Sequence, residues 1–384
     1  MNPLLALNQQ GQSYWMDDLR REMFQDGSLQ RRVSQEGLSG ITSNPAIFKL
    51  AIAGNDVYDE QLRSGALAGR SSEEIYLLLV STDVRDACDL LRPVHDATEG
   101  ADGYVSLEVS PHLAHDSEAS IAEAKRLWAV VDRPNLMIKI PGTTACLPAI
   151  EQLLYEGINV NITLLFSVAR YQAVVQAWLR ALERRAREGR PLHKAASVAS
   201  FFLSRIDVLV DELLDQRIGP QGHSPFTPHP STLQGKIAIA NAKLAYASLA
   251  RLLKSERWQA LAGAGARPQR LLWASTSTKN PQYDELMYVE PLIGPHTVNT
   301  MPLSTSAAFA DHGKVARTVN KQVRAASQVL RNLRPLGIHL DQVTGQLENE
   351  GIRKFIDSYD ALLQAIGQKR ELFTAQEAAL PTPP

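Results

Sequence analysis

Leu136-Met137-Ile138-Lys139-Ile140-Pro141-Gly142 reads as a short apolar strand that stops at a Pro-Gly break. Residues 143–156 then show helical spacing, with Leu147, Ile150, Leu153 and Leu154 on one face, threonines at the start and Gly157 at the end. Residues 157–166 return to a β-like run. Strand, helix, strand is the crossover unit of a parallel sheet. The same alternation extends in both directions. Candidate strands fall at 13–19, 40–44, 104–110, 136–141, 157–166, 195–202, 270–276 and 296–302. A second clear helix is 117–131, with Ile121, Ala124, Leu127 and Trp128 spaced for one face. This set of α/β units points to a closed (β/α)8 TIM barrel rather than an open doubly wound sheet.

Two connections exceed a simple βα unit. Residues 47–103 must hold extra helices after the second strand, among them 72–80 and 84–91. Residues 216–234 are rich in Gly, Pro and His and read as a surface excursion. A single barrel domain over 1–373 is expected, with further helices at the C-terminus and a loose tail at 374–384.

Composition narrows the function. The 384 residues are 44% hydrophobic and 21% charged, enough for a sizeable packed core. A formal charge of −1 gives no global basic field for nucleic acid or an anionic membrane, so an anionic substrate would need local positive charge. Two cysteines, Cys88 and Cys146, both in segments that read as helix interiors, make neither a disulfide framework nor a metal cluster. The N-terminus lacks the basic region of a signal peptide, and no apolar run is long enough to span a membrane. A cytoplasmic protein, monomer or homodimer, is expected. The histidines are scattered, with only His112 and His115 at helix-like spacing, and no metal or other cofactor is expected. No Gly-rich phosphate loop is present.

In a barrel, polar residues at the C-terminal strand ends are the candidates for chemistry. Asp17 and Asp18 end the first strand, and Thr42-Ser43-Asn44-Pro45 ends the second. Glu108 lies in the third, Lys139 in the fourth, and Asn161 and Thr163 in the fifth. Ser197, Ser200 and Phe202 lie in the sixth, with Arg205 just beyond, and Lys279 follows the seventh. Each has a plainer reading. Lys139 could snorkel from a strand end, Asp17 could cap a helix over 18–23, Asn44-Pro45 could be a turn, and Arg205 could pair with Asp207 or Asp211. Together, however, one lysine, two carboxylates and several amides and hydroxyls in one barrel mouth suit Schiff-base aldol chemistry. A buried amine loses its charge to desolvation and attacks a ketone, and a carboxylate moves the hydroxyl proton.

The runs Gly40-Ile41-Thr42-Ser43-Asn44-Pro45, Ile138-Lys139-Ile140-Pro141-Gly142-Thr143 and 157–167 resemble the signatures of transaldolases, over about residues 14–373. The 47–103 insertion and Thr297-Val298-Asn299-Thr300-Met301-Pro302 resemble the longer bacterial subtype. The resemblance implies a class I aldolase barrel that passes a dihydroxyacetone unit between sugar phosphates in the non-oxidative pentose phosphate pathway. It implies Lys139 as the Schiff-base lysine and Asp17 as acid/base for the C4 hydroxyl. Glu108 and Thr163 would hold a proton-relaying water. Ser43, Asn44, Asn161 and Ser200 would line the sugar site, and Arg205 would hold the phosphate. Lys279 matches the second phosphate arginine only across a two-residue gap, and Asp17 is followed by Asp18 where the family has threonine. Relatives similar to fructose-6-phosphate aldolase carry a tyrosine where this chain has Phe202, which favours transfer over release of dihydroxyacetone. Release, and a sugar-phosphate-binding barrel without catalysis, are the competing readings.

Overall fold

The expected apolar runs pair in chain order. In the computed structural model, which describes residues 2–218 and 228–379, eight strands close a barrel. They are β1 (Gln12–Met16), β2 (Leu38–Thr42), β3 (Tyr104–Glu108), β4 (Leu136–Pro141), β5 (Val160–Leu165), β6 (Ser197–Phe202), β7 (Arg270–Ala274) and β8 (Thr297–Met301). All neighbours are parallel, and β1 closes on β8. Every candidate strand therefore exists: 136–141 keeps its bounds, the second is shifted two residues towards the N-terminus, the first starts one residue earlier and ends three earlier, and the rest are shorter at one or both ends.

Local chemistry starts and stops the helices. Asn44 caps Pro45–Ile52 by accepting from the backbone N–H of Ala46 and Ile47. Ser71 and Glu74 form a reciprocal capping box on Ser72–Ala97. Gly157 ends Leu147–Glu156 at φ 94°, a left-handed turn that glycine adopts without steric penalty. Inside the barrel, Gly40 makes room for an indole, since a Cβ there would stand 2.3 Å from Trp15 Cε2. Trp15 Nε1 donates to Asp102 Oδ1 at 2.8 Å, and Arg270 pairs with the same carboxylate at 3.2 Å. Asp102 and Arg270 stand at the N-terminal strand ends, remote from the mouth, where stability rather than chemistry is decided.

Several boundaries differ from expectation. The two helices at 72–80 and 84–91 are one, Ser72–Ala97, because its apolar face continues without a break. The helix expected at 143–156 begins only at Leu147, since Thr143–Cys146 form a turn. Cys146 is therefore at the N-cap, not in a helix interior, and its Sγ lies 3.3 Å from Ala114 O. No helix spans 18–23; a short one occupies Glu22–Gln25. Pro3–Gln9, capped by Asn2, forms a helix that was not anticipated. The last helix, Leu340–Ala378, takes in residues 374–378 that were expected as tail. Residues 219–227 of the excursion and 380–384 of the tail lie outside the described residues. Among the described residues, no helix is long and apolar enough to cross a membrane.

Candidate active site

A cavity of about 230 Å³ opens at the C-terminal strand ends, and its walls include Asp17, Thr42, Asn44, Lys139, Thr163, Ser200, Phe202, Arg205, Lys279, Thr300 and Phe355. Parallel register places the central groups. Glu108 is level with Lys139 across β3–β4, and Lys139 is level with Asn161 across β4–β5.

Lys139 is only 4% exposed, so its head group does not snorkel to water. Its Nζ donates to Glu108 Oε2 at 3.0 Å and to Ser43 O at 3.1 Å. A buried charge needs such partners, because lost hydration costs several kcal/mol per ion. Burial holds the Glu108 carboxyl above its ordinary range, with Lys139 opposing. Glu108 Oε1 and Thr163 Oγ1 are buried and have no hydrogen-bond partner among the described residues. Just beyond Thr163, the β5–β6 register shifts and Leu164 adopts φ 60°. Such bulges re-aim side chains at barrel rims.

The two adjacent aspartates separate cleanly. Asp17 is half-buried and lines the cavity, accepting from Thr42 Oγ1 at 2.7 Å. Thr42 Oγ1 in turn lies 2.7 Å from Thr300 Oγ1. Asp18 instead forms an ion pair with Arg20 at 2.9 Å. Burial raises the Asp17 carboxyl above its ordinary value, opposed by the Thr42 hydrogen bond and by Lys139. The folded chain therefore holds this proton more tightly than the unfolded chain, and stability falls as pH rises from about 3.9 through the raised value. Asp17→Asn is expected to unfold at higher urea than the parent at pH 7, with the gap closing towards pH 4. A parent more stable than the variant at pH 7 would mean that the surrounding cations outweigh burial.

The other predicted residues sort by depth. Ser200 Oγ donates to Asn161 Oδ1 at 2.6 Å, and Asn161 Nδ2 donates to Ser106 Oγ at 3.0 Å. Asn161 thus stands behind Ser200 rather than in the cavity wall. Ser43 also stays out of the wall, its hydroxyl donating to Ser106 O at 2.7 Å. Asn44 lines the cavity while its Oδ1 caps the following helix, which leaves its amide N–H groups for the cavity side. Ser197 is not brought to the mouth; it accepts from Gln269 Nε2 at 2.9 Å near the start of β6.

Arg205 does not pair with Asp207 or Asp211. Asp207 accepts from the N–H groups of Ile237 and Ala238 and from Tyr288 OH, and Asp211 from Gly235 N–H and Tyr283 OH. The Arg205 guanidinium lies 5.5 Å from the Phe202 ring centroid and 5.9 Å from that of Phe355. Its Nη1 is buried without a partner. Burial works against its charge, and Asp17 partly compensates. Lys279 is exposed at the rim, donates to Ser277 Oγ at 2.7 Å, and has its ammonium disfavoured by partial desolvation and by Arg205.

Sequence reasoning did not assign roles to Thr42, Thr300 or Phe355. The threonines stood at the ends of recognised strands and were legible as strand-end hydroxyls. Phe355 comes from a helix more than 200 residues along the chain from Lys139, and no local signal marks it.

The sequence profile described as Transaldolase/Fructose-6-phosphate aldolase matches residues 14–366. A protein named Transaldolase 2 from Nostoc sp. is 48% identical over 378 residues, covering 97% of this chain and 99% of the relative. One named Transaldolase from Trichodesmium erythraeum is 48% identical over 375 residues, with 97% and 99% covered. Transaldolase 2 from Nostoc punctiforme is 50% identical over 372 residues, with 96% and 97% covered. Near-complete matches to chains of this kind, together with a lysine–glutamate pair buried at the mouth of an eight-stranded barrel, place the protein in the transaldolase/fructose-6-phosphate aldolase family.

Proposed function

We propose that this chain is a transaldolase that moves a dihydroxyacetone unit from a ketose phosphate to an aldose phosphate through an imine on Lys139. The donors would be sedoheptulose 7-phosphate or fructose 6-phosphate, and the acceptors glyceraldehyde 3-phosphate or erythrose 4-phosphate. The observation that carries this reading is the buried Lys139–Glu108 pair, whose lysine lines a cavity that also presents Asp17 and the Arg205 Nη1 N–H, which has no partner among the described residues.

Glu108 takes a proton from the ammonium, and the neutral amine attacks the donor ketone. Glu108 Oε1 and Thr163 Oγ1, both in need of a hydrogen-bond partner, hold a water that delivers a proton to the carbinolamine hydroxyl, which leaves as water to give the iminium. Asp17 takes the C4-hydroxyl proton, the C3–C4 bond breaks, and its electron pair flows into the iminium to give an enamine. Thr42 keeps the Asp17 carboxylate oriented. Asn44 and Ser200 bind sugar hydroxyls, with Asn161 fixing Ser200. Arg205 receives the phosphate bidentately, its plane set by Phe202 and Phe355. Lys279 adds charge at the rim.

Phe202 favours transfer over release. It is 7% exposed, packs 5.2 Å from Phe166 centroid to centroid, and offers no hydroxyl to orient water at the enamine. Fructose 6-phosphate alone should yield little free dihydroxyacetone, while added erythrose 4-phosphate should give rapid sedoheptulose 7-phosphate formation. Phe202→Tyr should shift products towards dihydroxyacetone. If the parent releases dihydroxyacetone as fast as it transfers it, the chain is an aldolase instead.

A further inference from the structure

Phe355 is 4% exposed on the Leu340–Ala378 helix, and its ring centroid lies 5.4 Å from Lys139 Nζ. One turn earlier, Gly351 is on the same helix face. A Cβ at Gly351 would meet Leu164 Cδ2 at 2.9 Å and Arg205 Nη1 at 3.5 Å. Glycine weakens a helix interior, and here it lets the helix backbone press against the barrel mouth. The helix is held there by two of the inserted helices and by the barrel helix that follows β5. Tyr359 packs edge-on against Tyr76 of the Ser72–Ala97 helix at 5.3 Å. Lys369 bonds Asp59 at 2.5 Å, and Glu348 pairs with Arg170 at 3.1 Å. The inserted helices after β2 thus brace a terminal helix whose innermost aromatic side chain covers the lysine.

We propose that Phe355 is the positioning residue that seals the Schiff-base pocket, so that the chain transfers its three-carbon unit instead of releasing it. The proposal rests on the reading of Lys139 as the imine lysine. The enamine has two fates. Its nucleophilic carbon can attack an acceptor aldehyde and form a C–C bond. Alternatively the carbon takes a proton from water, restoring the iminium. A water molecule then adds to the iminium carbon and the C–N bond breaks, with its electron pair and a proton going to the Lys139 nitrogen as dihydroxyacetone leaves. The second route needs only solvent, so excluding water selects the first. A ring face over Nζ removes space for water and attracts the iminium cation. Phe202 walls the pocket from the strand side, and Phe355 walls it from the helix side.

The test compares the full-length parent with Phe355→Ala and Phe355→Leu. Dihydroxyacetone release from fructose 6-phosphate alone is measured against transfer with erythrose 4-phosphate, alongside borohydride labelling of the Lys139 peptide. Phe355→Ala should raise the release-to-transfer ratio by about three- to thirtyfold, the scale of a desolvated cation–π contact, with Lys139 still labelled. Phe355→Leu, which keeps apolar bulk without a π face, should give a smaller rise and supplies the comparison should the alanine variant fail to fold. An unchanged ratio in a folded variant that still labels Lys139 would make Phe355 merely structural and overturn the proposal. Absence of label at Lys139 in the active parent would instead overturn the imine reading on which it rests.

Discussion

Lys139→Arg should turn over sugar phosphates about 10⁴-fold or more below the parent, the scale for losing a covalent nucleophile. Arginine is the informative replacement. Its guanidinium keeps the charge that Glu108 and Ser43 O hold in place, so the buried pair survives and loss of folding does not confuse the result. Yet a guanidinium stays protonated at working pH and forms no imine. In the parent, fructose 6-phosphate followed by borohydride should add a reduced sugar phosphate to one peptide, the one that contains Lys139. Label on any other lysine, or an active Lys139→Arg variant, would move the nucleophile elsewhere.

Arg205→Ala should lower kcat/KM for phosphorylated donors by about 30- to 5,000-fold, equivalent to roughly 2–5 kcal/mol for removing one member of a charge-assisted pair. Unphosphorylated dihydroxyacetone should be affected far less. The structure makes this a clean measurement, because among the described residues Nη1 is buried without a hydrogen-bond partner and Arg205 forms no salt bridge. Its aromatic neighbours, Phe202 and Phe355, can close on the smaller side chain. Equal losses for both classes of substrate would show that the guanidinium supports the pocket and does not bind phosphate.

Much of this was legible in the chain because barrel strands are short, apolar and separated by capped helices, all local signals. The eight strands, their parallel order and the mouth as the place to look follow from periodicity and from the rule that βα loops gather at one end. Co-occurrence then singled out Lys139, Asp17 and Glu108; the structure buries Lys139 against Glu108 and sets the half-buried Asp17 with Lys139 in the wall of one cavity. The sequence already favoured Asp17 over the adjacent Asp18, and the tertiary contacts add what separates them, Thr42 holding Asp17 at the cavity and Arg20 pairing with Asp18.

By itself the sequence determined the architecture and the chemical identity of the central groups, because strand period, helix caps and residue type act over a few neighbouring positions. Tertiary structure alone decided which groups face the cavity and which stand behind it. It put the Ser43 carbonyl under Lys139, placed Asn161 behind Ser200, and left Arg205 Nη1, Glu108 Oε1 and Thr163 Oγ1 without partners among the described residues. It also carried Phe355 to within 5.4 Å of Lys139 Nζ from the far end of the chain. Such contacts depend on how separate elements pack, and no local pattern of side chains encodes the distance between two segments that meet only once the barrel has closed.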